Sequence, residues 1–93
     1  MLLGKLIKEL RDESNAVETV IALGDLGLLL RVEKVAADND LRFGEAVTRA
    51  VGQFTAHADA DQWTQLMSII NRADDPGSAA LQQMLNVALP HGG

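Results

Sequence analysis

The sequence predicts an all-α domain of five or six short helices packed as antiparallel pairs. Ala, Leu, Glu and Gln are abundant, and these residues lose little side-chain entropy in a helix. Apolar residues recur along the chain at the spacing of one helix face. Phe43, Phe54 and Trp63 are the only aromatic residues, so aliphatic side chains must fill the core. Together these features favour a small helical bundle or a short stack of helix pairs.

The first predicted helix has one apolar face and one charged face. Lys5, Lys8 and Arg11 lie on the charged side. The apolar side is formed by Leu2, Leu3, Leu6, Ile7 and Leu10. Such a face can belong to the core, to a surface that docks a partner or a second copy, or to a helix that lies on a membrane.

The second predicted helix starts at Asn15, which with Glu18 resembles a capping box. Its buried face is expected to contain Val17, Val20 and Ile21. Gly24 is well placed to end this helix in a left-handed conformation.

The third predicted helix is capped by Asp25. We expect an apolar stripe of Leu26, Leu29 and Leu30 that points into the core and continues through Val32 or Glu33 to Ala36. Arg31, Glu33 and Lys34 are expected to be solvated. The competing interpretation is one continuous helix through Gly24 and Gly27. Each glycine costs a helix about 1 kcal/mol relative to alanine, which favours two helices with a corner at Gly24.

Three more apolar faces follow, and each is bounded by turn or capping residues. Asp59 with Gln62 resembles a capping box, the segment 74–78 breaks the helical pattern, and Pro90 stops the last helix. The faces comprise Phe43, Val47, Ala50, Val51 and Phe54, then Trp63, Leu66, Met67, Ile70 and Ala73, then Leu81, Met84, Leu85, Ala88 and Leu89.

The chain also contains a weak internal repeat. Shifting the sequence by 37 residues aligns Leu26 with Trp63 and Asp38 with Asp75. The stretches "ALGDLG" (22–27), "AADNDLRFGEAVTRAV" (36–51) and "RADDPGSAALQQML" (72–85) resemble HEAT-type repeats. The Asp-Pro corner of that family is matched by residues 75–76 and only by Asn-Asp in the earlier copy. Gly44 stands near the position where the family often has Arg. The resemblance covers about two degenerate repeats and implies stacked helix pairs.

Length, charge and composition restrict the class of protein. The chain has 93 residues, which is typical of one domain; we expect it to span residues 1–90, with 91–93 as a flexible tail. The net charge is −5, and Arg72 is the only basic residue after position 50, which argues against nucleic-acid binding. No apolar stretch is long enough to predict a transmembrane helix. The lack of cysteine excludes disulfides and fits a cytoplasmic protein.

No group of residues predicts catalysis, and we expect neither enzyme activity nor a cofactor. His57, Asp59 and Asp61 could in principle bind a metal, but carboxylates at a helix start are usually caps. No serine lies in a nucleophile elbow, and no phosphate-binding glycine loop occurs.

The sequence therefore favours a non-catalytic interaction or adaptor module that docks a protein partner through an apolar helical groove rimmed by acids. A homodimer is one form of this hypothesis. The alternative is a small regulator that docks on an enzyme or a transcription factor. The predicted contact residues are Leu2, Leu3, Leu6, Ile7, Leu10, Trp63, Met67 and Met84.

Overall fold

The computed structural model describes residues 2–89 and the side chains of residues 4–89. Within this range the chain is all-helical, as the sequence predicts. Pro90 and the predicted tail lie outside the described residues, as do the side chains of Leu2 and Leu3. The helices are α1 (Leu2–Leu10), α2 (Glu13–Leu23), α3 (Leu26–Asp38), α4 (Phe43–His57), α5 (Ala60–Arg72) and α6 (Pro76–Ala88).

Helices α4 and α6 form the centre of a small helical bundle. They pack against each other, and α2 packs on both of them. Helix α5 packs on α6, α3 packs mainly on α4, and α1 covers α2, α4 and α6. The core is aliphatic apart from Phe54, whose ring meets Trp63 edge-on with ring centres 5.2 Å apart.

The predicted corner between α2 and α3 is confirmed. Gly24 has φ +68°, and its N–H donates to the carbonyl of Ile21 at 3.2 Å. Asp25 then caps α3 by accepting a hydrogen bond from the N–H of Leu28 at 3.1 Å. The continuous helix is therefore excluded.

The predicted start of α2 at Asn15 is wrong. The cap is Asp12, whose side chain accepts a hydrogen bond from the N–H of Asn15 at 3.2 Å. Both residues can cap a helix, but the backbone of Asp12 is extended whereas Asn15 already lies inside the first turn.

The predicted buried face of α3 is confirmed at Val32 and Ala36 but wrong at Leu26 and Leu30. Leu26 and Leu30 are exposed and Leu29 is half-buried, whereas Leu28, Val32 and Ala36 are buried. The buried residues repeat every four positions, which is also helical spacing. Because this helix has leucines on two sides, its periodicity fits two faces, and packing against α4 selects one of them. Ile21 of α2, predicted as buried, is exposed as well.

Arg31 is not simply solvated, contrary to prediction. Its guanidinium donates to Oδ1 of Asn86 at 2.9 Å and to the carbonyl of Leu89 at 3.2 Å. The side chain of Gln82 donates to Asp25 at 3.3 Å. These bonds join α3 to α6, and they follow from tertiary structure rather than from local pattern.

The predicted faces of α4 and α6 are largely buried, and that of α5 is buried at Leu66 and Ile70. The residues of these faces that are buried are Val47, Ala50, Val51, Phe54, Leu66, Ile70, Leu81, Met84, Leu85 and Leu89. Asp59 and Gln62 form the predicted capping box at the start of α5. Asp75 caps α6, with Pro76 in its first turn.

Candidate functional site

The structure divides the predicted contact residues between core and surface. Leu6, Leu10 and Met84 are 8%, 3% and 0% exposed, so this conformation leaves them little surface for a partner. Ile7, Trp63 and Met67 are half-buried. Leu2 and Leu3 belong to α1, but their side chains lie outside the described part of the chain. A docking surface in this conformation therefore gains little from Leu6, Leu10 and Met84.

Three large aliphatic side chains are exposed around the turn between α2 and α3. Ile21, Leu26 and Leu30 are 61%, 73% and 64% exposed, and we call this set the apolar corner. Leu26 and Leu30 are four residues apart on α3 and therefore lie on the same side of that helix. Single exposed leucines are common, but three within ten residues are a candidate contact surface.

The backbone of the apolar corner is fixed by hydrogen bonds on both sides of the turn. Gly24 closes α2 and Asp25 caps α3. The bond from Gln82 also joins Asp25 to α6. A partner that binds here meets a surface that is already ordered.

A second candidate is a groove of about 530 Å³ between α1, α2 and the start of α6. Glu9, Glu18 and Asp75 carry its negative charge. Hydrogen bonds from the hydroxyl and the N–H of Ser78, at 2.9 and 3.3 Å, hold the pKa of Asp75 below its ordinary range. Leu6 and Leu10 also line the groove but are nearly buried, so its accessible surface is mainly polar.

A third candidate lies along α4, and we call it the α4 groove. It has three adjoining parts of about 530, 370 and 330 Å³, all of which are lined by Gln53. Small residues of α4 make this side shallow, among them Ala46, Ala50 and Gly52. The first part also contains two arginines and a histidine, Arg11, Arg49 and His57.

A surface ion pair connects the start of α2 to the start of α4. Arg42 donates from Nε and Nη2 to the two carboxylate oxygens of Glu13, at 3.2 and 3.0 Å. This hydrogen bonding lowers the pKa of Glu13 and raises that of Arg42. The Glu13 side chain lies against Gly44, where a Cβ atom would collide with it. The arrangement is structural, since both charges are satisfied by each other.

The described residues contain no cluster of side chains suited to a metal ion. Between residues 4 and 89, no three His, Asp or Glu side chains lie close enough together to hold a metal ion. Asp59, one of the metal-ligand candidates, accepts the capping bond from the N–H of Gln62 at 2.8 Å. In the same part of the chain, no helix has the length and apolarity needed to cross a membrane.

Comparison with known proteins adds no functional site to these candidates. No protein-family model, curated protein or solved structure matches the chain. The resemblance to HEAT repeats therefore stays a prediction.

The exposure of the apolar corner was not predicted, although the turn at Gly24 was. A signal was present, because the four leucines of α3 point to different sides of the helix and cannot all lie on one buried face. Periodicity alone assigned Leu26 and Leu30 to the core, because it cannot show which of two apolar sides meets a neighbour.

Proposed function

We propose that the protein is a non-catalytic interaction or adaptor module whose apolar corner docks on a partner protein. The observation that carries this proposal is the exposure of Ile21, Leu26 and Leu30 on ordered helix ends. Complete burial of one such side chain contributes about 1.5–3 kcal/mol, and the corner offers three.

The rigidity of the corner supports this proposal. Association costs translational and rotational freedom, and ordering a mobile surface adds to that cost. The caps at Gly24 and Asp25 already fix the backbone, so binding requires little further ordering. The apolar corner, with Leu26 and Leu30 four residues apart, would fit a partner groove that accepts the end of a helix.

The test compares two triple variants at the same positions. Ile21→Gln/Leu26→Gln/Leu30→Gln removes the apolar surface and keeps good helix formers. Ile21→Leu/Leu26→Met/Leu30→Met keeps the surface apolar and serves as the matched control. Circular dichroism and thermal unfolding establish that both variants fold.

Affinity capture from the native host with quantitative mass spectrometry then gives the result. We expect a stoichiometric partner with the wild type and the control, and about tenfold less of it with the glutamine variant. Equal capture by the glutamine variant would contradict the proposal. The identity of the partner decides whether the module regulates an enzyme or a transcription factor.

Self-association is measured separately by sedimentation equilibrium over a range of concentrations. A concentration-dependent dimer that the glutamine variant abolishes identifies a second copy as the partner. A dimer that persists in the glutamine variant must use another surface.

A further inference from the structure

We propose that the α4 groove binds an acidic segment of a partner protein, independently of the apolar corner. The proposal rests on the charges that line the groove and on the small side chains that form its floor.

The largest part of the groove is lined by two arginines and one carboxylate, Glu45, on a protein whose net charge is −5. Arg11 and Arg49 are exposed and line the same part of the groove, and neither has a hydrogen-bond or ion-pair partner for its side chain among the described residues. His57 lies beside them.

The carboxylates of the groove cancel this charge only in part, because each also lies near a further cation, although Glu45 shares Arg42 with Glu13. The carboxylate of Glu45 lies 3.6 Å from the guanidinium of Arg42 and also accepts a hydrogen bond from the backbone N–H of Arg42 at 2.9 Å. Asp38 lies 3.4 Å from Nζ of Lys34. An anionic ligand therefore meets two arginines without displacing an existing partner.

The shape of the groove favours a peptide segment over a small anion. Its largest part, about 530 Å³, lies within the range of about 300–1,000 Å³ that is usual for ligand pockets. One adjoining part reaches Val35 and Leu89, and the other reaches Gln62 and Val87. Such a surface accommodates a chain that alternates carboxylates with small or aliphatic side chains.

The chemistry of the arginines fits carboxylates. A guanidinium donates two parallel hydrogen bonds to one carboxylate, which gives both affinity and orientation. Nucleic acid is disfavoured, because a polyphosphate chain needs a longer cationic stripe than two arginines and the rest of the protein would repel it.

The experiment selects peptides from a random twelve-residue phage library on the purified protein. The wild type and Arg11→Gln/Arg49→Gln are used in parallel. We expect the wild type to enrich peptides rich in Asp and Glu with interspersed aliphatic residues, and the arginine variant to lose this enrichment. The same acidic preference on both proteins, or none on either, would overturn the proposal.

The best selected peptide is then synthesised with a fluorescent label and in a form with Asn and Gln in place of Asp and Glu. In fluorescence anisotropy we expect the neutral peptide, and also the double arginine variant, to bind about tenfold more weakly. The matched control is Lys5→Gln/Lys8→Gln, which removes two cations from α1 outside the groove and should leave the affinity unchanged. An equal loss in this control would assign binding to overall charge and overturn the proposal.

Two further measurements locate the site and separate it from other ligands. Amide shifts of Thr48 and Gln53 on addition of the peptide place it in the groove, and shifts confined to other helices refute that placement. A labelled RNA or DNA oligonucleotide that binds more tightly than the peptide would make the groove a nucleic-acid site. The glutamine variant of the apolar corner should keep full peptide binding, so failure of one proposal is distinguishable from failure of the other.

Discussion

Helices α3 and α6 start in the same way but pack in different surroundings. Both have 13 residues, and in both an aspartate cap, Asp25 or Asp75, is followed two residues later by glycine. In each the cap accepts a hydrogen bond from the N–H three residues on. Local sequence therefore starts the two helices by one mechanism.

Their surroundings determine how much of each helix is buried. Helix α6 packs against α1, α2, α4 and α5, and it buries Leu81, Met84 and Leu85 completely. Helix α3 packs mainly on α4, so one stripe is buried while Leu26 and Leu30 stay exposed. The number of neighbours, rather than the number of leucines, decides whether a helix belongs to the core or presents a surface.

The largest expected difference between the two helices comes from shortening one leucine in each. Leu85→Ala in α6 removes fully buried carbons and should lower the free energy of unfolding by about 2–5 kcal/mol. Leu30→Ala in α3 should change it by less than about 0.5 kcal/mol. Urea unfolding followed by circular dichroism measures both, and equal losses would refute the division into core and surface helices.

The next effect concerns the hydrogen bonds that join α3 to α6. Arg31→Ala removes the bonds to Asn86 and to the carbonyl of Leu89, and we expect a loss of about 1–2 kcal/mol. Lys34→Ala is the matched control, because its ion pair with Asp38 is exposed and should contribute less than about 0.5 kcal/mol. If the two variants unfold at the same urea concentration, Arg31 does not join the helices in solution.

A smaller effect, of opposite sign at two positions, tests the start of α3. Gly24→Ala places a side chain at φ +68° and should cost about 1 kcal/mol, although no atom obstructs it. Gly27→Ala lies inside the helix without a steric conflict and should stabilise by about 0.5 kcal/mol. The midpoint temperature of thermal unfolding should therefore fall for Gly24→Ala and rise for Gly27→Ala. A shift in the same direction for both variants would place the corner elsewhere.

The smallest effect is the dependence of the α6 cap on pH. Because the pKa of Asp75 is lower in the folded protein than in the unfolded chain, its stabilising contribution is complete above the unfolded pKa. That contribution is lost as the pH falls through the folded pKa. Ser78→Ala removes the hydroxyl donor and should raise the pKa of Asp75 towards its ordinary value.

Carboxyl carbon shifts recorded by NMR during an acid titration measure that change. Arg42→Gln serves as the control, because it should raise the pKa of Glu13 and leave that of Asp75 unaffected. A rise in the pKa of Asp75 in the Arg42→Gln variant would mean that the titration reports overall charge instead of the local hydrogen bond.

Much of the fold could be predicted because its signals are local. The αL glycine at Gly24 and the caps at Asp25 and Asp59 each depend on residues within one turn, and all three are present in the structure. The cap at Asp12 was missed because Asn15, three residues later, competes with it by the same local rule.

The candidate sites were less predictable, because each depends on residues far apart in the chain. The contacts of Arg31 lie 55 and 58 positions away, and the α4 groove brings Arg11 beside His57. No spacing rule connects such residues. The contact residues predicted from apolar spacing included Leu6, Leu10 and Met84, which the bundle buries.

The sequence by itself determined most helix ends, although not the start of α2, because caps, glycines and helix propensity act over a few residues. It also determined that the core is aliphatic. Only the tertiary structure decided which side of α3 is buried, since Leu28 and Leu30 are equally apolar but are 2% and 64% exposed. The physical reason is that burial is a property of two surfaces in contact, and a single helix specifies only one of them.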